Sequence, residues 1–286
     1  MRRLVVLVAA LAVVLAAAPP ADALAGSGSV AALQLALRTR GLYHGDLDGI
    51  RGPGTVAAVR VLQRRRGLAV DGIAGRRTRR ALGHLGRPVV GARVLRAGRT
   101  GFDVAALQFL LGRAGFPSGD IDGGLGAHTV RALRKFQARA GLPVDGVAGP
   151  ATFRALRRPS PVSPIRLARP VRAPIGDGFG MRGTRLHAGL DFPAPTGTPV
   201  TAAGTGRVVT IAFNAGGWGR YVVIAHGAGV QSLYAHLSAV SVGLGQRVVA
   251  GTRVGSVGSS GLATGPHLHF EVFVRGANVD PLTALG

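Results

Sequence analysis

The chain has 286 residues, 46 of them glycine, and a net charge of +23. This length indicates two or three domains, and short apolar runs among many glycines favour turn-dense β structure over a purely helical bundle. The absence of cysteine excludes disulfides and thiolate metal sites, so any metal must be held by His, Asp or Glu.

Residues 1–25 have the layout of a secretory signal peptide. Arg2 and Arg3 precede the apolar residues 4–18, and small residues at 21–25 offer cleavage sites. The apolar stretch is shorter than the ~20 residues of a membrane span, which leaves an uncleaved anchor as the weaker alternative. We therefore predict an exported protein, secreted or in the cell wall, without stable membrane insertion after cleavage.

The basic charge favours a polyanionic partner. Residues 26–158 contain 23 basic and 7 acidic residues, against 10 and 4 in residues 159–286, so the N-terminal half carries most of the attraction. Export argues against nucleic acid, and 5% aromatic residues give no visible platform for stacking bases. Anionic wall polymers are the partners that this charge favours, and the alternative is a coding bias, since 34 of the 35 basic residues are arginine.

An internal repeat with an offset of 74 residues follows the signal. Residues 30–34 and 104–108 both read VAALQ, and the pair Gly45-Asp46 matches Gly119-Asp120. Each copy predicts three short helices. In the first copy these lie near residues 30–40 with a stop at Gly41, from Thr55 onward, and from about residue 78.

The segments "DGIRGPGTVAAVRVLQ" and "DGGLGAHTVRALRKFQ" share one signature. It is D-G-x-x-G-x-x-T, followed by a helix that carries Leu-Gln or Phe-Gln. Over residues 29–83 and 103–157 the chain resembles the peptidoglycan-binding domain type 1 family, which implies binding to peptidoglycan and not catalysis. The alternative is that the Asp-Gly and Thr positions only form turns and caps, and we favour it for most of them. We place the repeats at 26–86 and 87–157.

A proline-rich linker, residues 158–168, separates the repeats from a third domain, residues 169–286. Proline at this density favours an extended spacer, and the first strand of the next domain is expected from about Arg169. Short β-branched runs separated by glycines follow. The predicted fold is multidomain: two small all-α three-helix repeats, then a mainly antiparallel β domain.

The run "HLHFEVFV" alternates cleanly. His267, His269 and Glu271 share one strand face, and apolar residues occupy the other, which should face the core. Two further clusters contain "HAGLD", with His187 and Asp191, and "LYAHLS", where alternation places His236 and Tyr234 on one face. Imidazole and carboxylate groups are standard zinc ligands.

Taken together, H-x-G-x-D, Y-x-H and G-P-H-L-H-F-E resemble the lysostaphin-type zinc endopeptidases that cut peptidoglycan crosslinks. The resemblance runs from about residue 169 to 285 and implies that His187, Asp191 and His269 bind Zn²⁺. It also implies that His236 and His267 form the catalytic pair, which moves protons and supports the developing oxyanion.

Two departures from the family pattern stand out. Leu186 precedes His187 where some relatives have a second histidine. The segment "RGTRLH" is short and predicts a cleft wall that is open or differently shaped.

The remaining histidines are assigned to structure. His226 ends a strand before a glycine turn, and His44, His84 and His128 have no partner at metal spacing. For Glu271 the sequence leaves a hydrogen bond to a metal ligand and an exposed ion pair equally open.

The resemblance thus predicts a secreted zinc endopeptidase tethered to the wall. The alternative is a non-catalytic wall-binding protein or amidase activator on the same fold, although such relatives usually lack a metal ligand. The family cuts glycine bridges or D-amino-acid crosslinks, and the two basic repeats favour direct peptide crosslinks. Oligomeric state, and inhibition of the cleft by the repeats, are left open.

Overall fold

The computed structural model describes residues 26–286, so the predicted signal peptide lies outside the described residues. The repeats contain six helices, three each, as predicted: α1 Gly28–Arg38, α2 Pro53–Arg65, α3 Arg76–Ala81, α4 Phe102–Arg113, α5 Ala127–Ala140 and α6 Pro150–Leu156. A 3-10 helix, Gly83–Gly86, follows α3. Within the described residues, no helix has the length and apolarity that a membrane crossing requires.

A buried glutamine organises the Asp-Gly turns of each repeat. The Gln34 amide donates to Asp48 Oδ1 (2.7 Å) and Thr55 Oγ1 (3.2 Å), and its carbonyl accepts from the Gly49 N–H (2.9 Å). Closely similar networks are centred on Gln63, Gln108 and Gln137. Each network satisfies buried polar groups, so these motif residues are structural.

Thr55 does not open α2 as predicted. The helix begins at Pro53, after the N-cap residue Gly52, which has no side-chain cap. Proline is well suited to the first helical position because its φ is fixed near the helical value. The Thr55 hydroxyl is instead buried between the Gln34 amide and the Ile50 carbonyl.

The two repeats share apolar packing. The first core joins Leu33 and Leu37 of α1 to Ala105 and Phe109 of α4, and all four are buried. A second core lies inside the second repeat, where Phe116 and Phe136 meet edge to face at 5.9 Å. Because α4 contributes to both cores, the repeats form one helical body.

The third domain has twelve short strands, and every pairing between them is antiparallel, which confirms the predicted fold class. They are β1 Gly180–Arg182, β2 Arg185–His187, β3 Leu190–Pro193, β4 Pro199–Thr201, β5 Gly206–Asn214, β6 Gly219–Gly227, β7 Val230–Ala235, β8 Ala239–Val240, β9 Arg247–Val248, β10 Arg253–Ser256, β11 His267–Val274 and β12 Ala277–Val279. A 3-10 turn, Pro281–Thr283, follows β12.

The main sheet has the order β12-β11-β7-β6-β5-β9, and β3 pairs with β11. A three-stranded sheet, β4-β10-β8, lies apart from it, and β1 and β2 form a hairpin. Leu268, Phe270 and Val272 of β11 are fully buried in the β core. The alternation of β11 is therefore confirmed, with its apolar face inward and its histidines on the opposite face.

The first strand does not begin at Arg169. It begins at Gly180, although the chain joins the β domain earlier through the buried Leu167 and Val171. The Leu167 N–H donates to the Ala284 carbonyl at 2.8 Å. Proline lacks an N–H, so a proline-rich segment can pack apolar side chains without building a strand ladder.

The tip of the β1–β2 hairpin is held by the first repeat. The Gly183 N–H donates to Asp46 Oδ1 at 2.7 Å, and the Gly183 carbonyl accepts from the Leu47 N–H at 2.9 Å. Met181, one residue into the hairpin, packs against the first helical core.

The second repeat holds the next hairpin residue with equivalent groups. The Thr184 hydroxyl donates to Asp120 Oδ1 at 2.9 Å, and the Thr184 carbonyl accepts from the Ile121 N–H at 2.8 Å. Asp120 and Ile121 lie 74 residues after Asp46 and Leu47. Corresponding positions of the two repeats therefore hold adjacent residues of one hairpin tip, and we call this set of contacts the hairpin clamp.

A second contact joins the repeats to β12. The Gly115 carbonyl accepts from the Asn278 N–H at 2.9 Å, and Ala277 is buried in the core of the second repeat. Gly115 has φ +88°, a conformation that favours glycine. The repeats and the β domain are thus packed against each other through the hairpin clamp and β12.

Candidate metal centre and catalytic cleft

His187 is placed by the β1–β2 hairpin, where it pairs with Gly180. Its Nδ1 lies 2.6 Å from the Gly178 carbonyl, and a carbonyl can only accept. Arg182 Nη2, which can only donate, lies 2.6 Å from the same Nδ1. Nδ1 is therefore engaged by both groups, and Nε2 is the nitrogen that faces the other candidate ligands in the cleft.

Asp191 and His269 are direct partners in the pairing of β3 with β11. This register brings Asp191 Oδ1 to 2.7 Å from His269 Nδ1 although the residues are far apart in sequence. Gly189 makes the approach possible, because a Cβ there would meet the His269 ring at 2.9–3.0 Å and the Phe270 carbonyl more closely still. The glycine of H-x-G-x-D is needed for this close approach.

Three ligand atoms converge in the cleft. His187 Nε2 lies 3.1 Å from both Asp191 Oδ1 and His269 Nδ1. Ligands bound at about 2.0–2.1 Å to a tetrahedral zinc are separated by roughly 3.3 Å, close to these two separations, whereas Asp191 Oδ1 and His269 Nδ1 lie at the shorter hydrogen-bond distance of 2.7 Å. His187, Asp191 and His269 are the single group of three or more potential ligands that the described residues bring within metal-binding distance.

The electrostatics of the group suit a cation. Burial favours the neutral form of Asp191, but hydrogen bonds and positive charge from His187 and His269 outweigh it and hold the pKa well below its ordinary value. Burial alone would lower the pKa of His269, yet Asp191 and Glu271 raise it to about 9. Two carboxylates thus stabilise positive charge here, as a proton or as a metal ion.

We call His187, Asp191 and His269 the metal group. Glu271 contacts His269 on the side of the ring that faces away from the other two members. Its Oε1 lies 3.0 Å from His269 Nε2 and accepts from Trp218 Nε1 at 2.8 Å, while Oε2 accepts from Asn278 Nδ2 at 2.6 Å. The side chain is 3% exposed, so the exposed ion pair left open by the sequence is excluded. A carboxylate on the second ring nitrogen fixes the proton there and leaves Nδ1 as the ligand atom.

His236 and His267 stand next to this group. Their ring centroids are 4.7 Å apart, and the His236 ring is 5.8 Å from that of His269. His236 Nδ1 lies 2.7 Å from the Ser260 carbonyl, and His267 Nδ1 lies 2.8 Å from the Gly265 carbonyl. Both protons are therefore held on Nδ1, and both Nε2 atoms are free to accept one.

The expectation that Tyr234 shares a face with His236 is wrong. Tyr234 is fully buried in the β core and packs on Phe270 at 5.4 Å, whereas His236 faces the cleft. Strand β7 ends at Ala235, and His236 adopts φ +58°. A left-handed residue breaks the alternation of side chains, and this unusual conformation in a non-glycine residue lies at the cleft.

Arg182 also belongs to the site and was not predicted. Its Nη2 lies 2.9 Å from Asp177 Oδ2 and 3.3 Å from Asp191 Oδ2. The guanidinium thereby holds the oxygen of Asp191 that does not face the histidines. Trp218 and Asn278 were likewise missed, because no spacing in the sequence links them to Glu271.

His226 is structural, as predicted. Its Nδ1 lies 3.0 Å from the Thr205 carbonyl and its Nε2 lies 2.7 Å from Ser232 Oγ, which in turn bonds the Tyr234 hydroxyl at 2.8 Å. Burial lowers the pKa of His226, so the neutral ring completes this buried chain.

The metal group opens into a cavity of about 340 Å³. Arg182, Arg185 and Leu186 form one side of it, and Trp218 and Leu262 lie among the other lining residues. The β1–β2 hairpin is short, and the hairpin clamp holds it against the repeats. The cavity wall on the side of this hairpin therefore continues into the second repeat. The open or differently shaped wall that the short "RGTRLH" segment predicts stays a prediction.

Two protein-family models match parts of this chain. Residues 185–281 match the model of Peptidase family M23, and residues 26–82 and 100–156 each match that of a putative peptidoglycan binding domain. An M23 peptidase domain thus follows two putative peptidoglycan binding domains in this chain. The predictions of a zinc metallopeptidase domain and of Zn²⁺ as its cofactor are confirmed.

Curated relatives match about a third of this chain. DD-carboxypeptidase/endopeptidase Mpg of Neisseria meningitidis serogroup B is 50% identical over 99 residues, 35% of this chain and 23% of the relative. Peptidoglycan DD-endopeptidase ShyA of Vibrio cholerae is 47% identical over 98 residues, 34% of this chain and 23% of the relative. The chain thus covers about a quarter of the length of these curated relatives.

Among solved structures, the catalytic domain of lysostaphin from Staphylococcus simulans is 33% identical. The match covers 38% of this chain and 90% of that one, with a TM-score of 0.36.

Proposed function

We propose that this protein is a secreted, zinc-dependent endopeptidase that hydrolyses peptide crosslinks of bacterial peptidoglycan. The observation that carries the proposal is the meeting of three ligand atoms with two free imidazole Nε2 atoms in one cleft. Both relatives described above are named for DD-endopeptidase activity, which favours D-amino-acid crosslinks as the bond cut. The repeats would bind peptidoglycan, and the protein would act outside the cytoplasm, in the cell wall.

His187, Asp191 and His269 would hold Zn²⁺ and leave a fourth position open, as in catalytic zinc sites. When bound, the metal would polarise the scissile carbonyl and make water a stronger nucleophile at neutral pH. Glu271 keeps His269 in the required tautomer, and the Gly178 carbonyl and Arg182 hold the His187 ring by its Nδ1.

His236 and His267 would move the protons. One of them accepts a proton from the attacking water on Nε2, and either can return one to the leaving amine or support the developing oxyanion. Burial lowers the pKa of His236, and this favours the neutral ring that a base requires. His267 Nε2 lies 3.8 Å from Asp191 Oδ1, which keeps it beside the ligand group.

Hydrolysis of purified peptidoglycan tests the proposal. A chelator should abolish product release, and added zinc should restore it. His267→Ala should retain zinc and lose at least about a hundredfold in rate, the low end for general acid–base groups, whereas His44→Ala in the first repeat should keep full activity. Mass analysis of the released peptides should show cleavage at D-amino-acid crosslinks.

Full activity in excess chelator would contradict the zinc mechanism. A His267→Ala protein with an undiminished effect on the wall would indicate a non-catalytic activator.

A further inference from the structure

A groove of about 740 Å³ runs between the second repeat and the β domain. It shares six lining residues with the metal cavity: Arg185, Leu186, Ala188, Gly217, Trp218 and Glu271. The two spaces are therefore adjacent, and a ligand extending from the metal group on this side would lead towards the groove.

The walls of the groove come from different domains. Helix α5 and residues 115–120 of the second repeat line one side, and Asn214, Trp218 and Phe273 line the other. The Thr184–Asp120 and Asn278–Gly115 hydrogen bonds join the two walls. The second repeat thus forms part of the groove that leads to the metal group.

Three cations line the groove without partners. Arg131, Lys135 and Arg185 are exposed, and within residues 26–286 none of their side chains forms a hydrogen bond or an ion pair. The acidic groups of the groove are already engaged, because Asp120 accepts from Thr184, and Asp122 accepts from Gln108. These two carboxylates and Glu271 keep their negative charge, but hydrogen bonds within the protein occupy them, so the cations are the charged groups of the groove that have no partner among the described residues.

Two further features suit an extended polar ligand. The Ser118 hydroxyl is buried in the groove wall and has no hydrogen-bond partner among the described residues. Trp218 and Phe273 are half-buried and offer ring surface to apolar parts of a ligand. A peptide combines free carboxylates, amide groups and aliphatic side chains in one chain.

We propose that this groove is a second substrate subsite, in which Arg131 and Lys135 bind the carboxylates of a peptide stem that extends from the cleft. The proposal rests on the proposed function for the identity of the peptide. The second repeat then acts as part of the substrate-binding site as well as a wall anchor.

Binding can be measured without hydrolysis, because Trp218 is the single tryptophan of the chain and lines both spaces. The probe is a soluble, uncrosslinked stem tetrapeptide with free carboxylates, titrated against the full chain by tryptophan fluorescence. Its fully amidated counterpart and a glycerol-phosphate polymer serve as comparison ligands.

The test variant is the double substitution Arg131→Gln with Lys135→Gln. A matched control is Arg134→Gln with Arg139→Gln, which removes the same charge from exposed positions of the same helix that do not line the groove. The two variants differ in where the charge is lost, so they separate a local contact from general attraction.

We expect the test variant to raise the Kd of the free tetrapeptide roughly threefold to tenfold, the size expected for two exposed charge contacts. Added salt should produce a similar loss in the unaltered protein. The control variant should bind as the unaltered protein does, and the amidated peptide should bind equally weakly to all three.

Equal losses in the test and control variants would overturn the proposal, and so would a loss that is the same for the amidated peptide. Stronger competition by the phosphate polymer than by the tetrapeptide would assign the groove to wall phosphates and also overturn it. A protein that fails to hydrolyse peptidoglycan yet binds the tetrapeptide through Arg131 and Lys135 would refute the proposed function alone.

Discussion

At the scale of single residues, Glu271 connects the metal group to the rest of the fold. It contacts the ring of His269, and it also receives hydrogen bonds from Trp218 of β6's N-terminal turn and Asn278 of β12. Each partner comes from a different part of the chain. The orientation of one ligand ring therefore depends on tertiary contacts.

Replacement of Glu271 should weaken zinc binding. Glu271→Gln keeps the size of the side chain but removes the charge that holds the His269 proton on Nε2, and losses of about 10–100-fold are typical for such supporting groups. Competition with a chromophoric chelator measures the zinc affinity. Circular dichroism checks that the sheet is intact, and an unchanged affinity would show that Glu271 does not orient His269.

At the scale of secondary-structure elements, the β1–β2 hairpin is the least self-sufficient part of the metal site. It has three residues in each strand, and among the strands of residues 26–286 it pairs with no other. An isolated two-stranded hairpin is at best marginally stable. The hairpin clamp supplies the support that the hairpin lacks, at the element that carries His187.

Loss of the hairpin clamp should therefore weaken zinc binding at the metal site. We expect Asp46→Ala with Asp120→Ala to weaken zinc binding by about twofold to tenfold, because each lost hydrogen bond is worth a modest amount. Asp46→Asn with Asp120→Asn keeps both acceptor oxygens and should bind zinc as the unaltered protein does. Equal effects of both double variants would contradict a positional role for these hydrogen bonds.

At the scale of the whole molecule, the repeats and the β domain are packed as one unit. The first repeat meets the hairpin, and the second repeat meets both the hairpin and β12. The repeats, which carry most of the positive charge, are thus fixed beside the cleft. A flexible tether would not hold Arg131 and Lys135 next to the metal cavity.

The interface with β12 can be tested with two matched glycines. Gly115→Ala puts a Cβ against the Asn278 carbonyl and 2.8 Å from Ala277 Cβ, whereas Gly41→Ala, 74 residues earlier, meets nothing within 4 Å. Both have positive φ, so the backbone strain is shared. We expect Gly115→Ala to lower the free energy of unfolding by about 1–3 kcal/mol more than Gly41→Ala does. Urea denaturation of both variants measures this difference.

Similar losses for Gly115→Ala and Gly41→Ala would mean that the second repeat does not pack firmly on β12.

The sequence by itself determined the elements and the chemistry. The 74-residue offset predicts two helical repeats, and the alternation in "HLHFEVFV" places two histidines on one strand face. Both patterns are local and periodic, so they can be read without coordinates. The resemblance supplied the five residues proposed for the site, and the structure brings them into one cleft.

Only the tertiary structure decided how these parts meet. The Asp46–Gly183 and Asp120–Thr184 contacts join residues far apart in sequence and follow from no periodic pattern. Three further features also follow from no periodic pattern in the sequence. They are the left-handed backbone of His236, the hydrogen bonds to Glu271 and the groove beside the second repeat. Contacts between distant segments depend on how the domains pack, and local sequence patterns do not encode that packing.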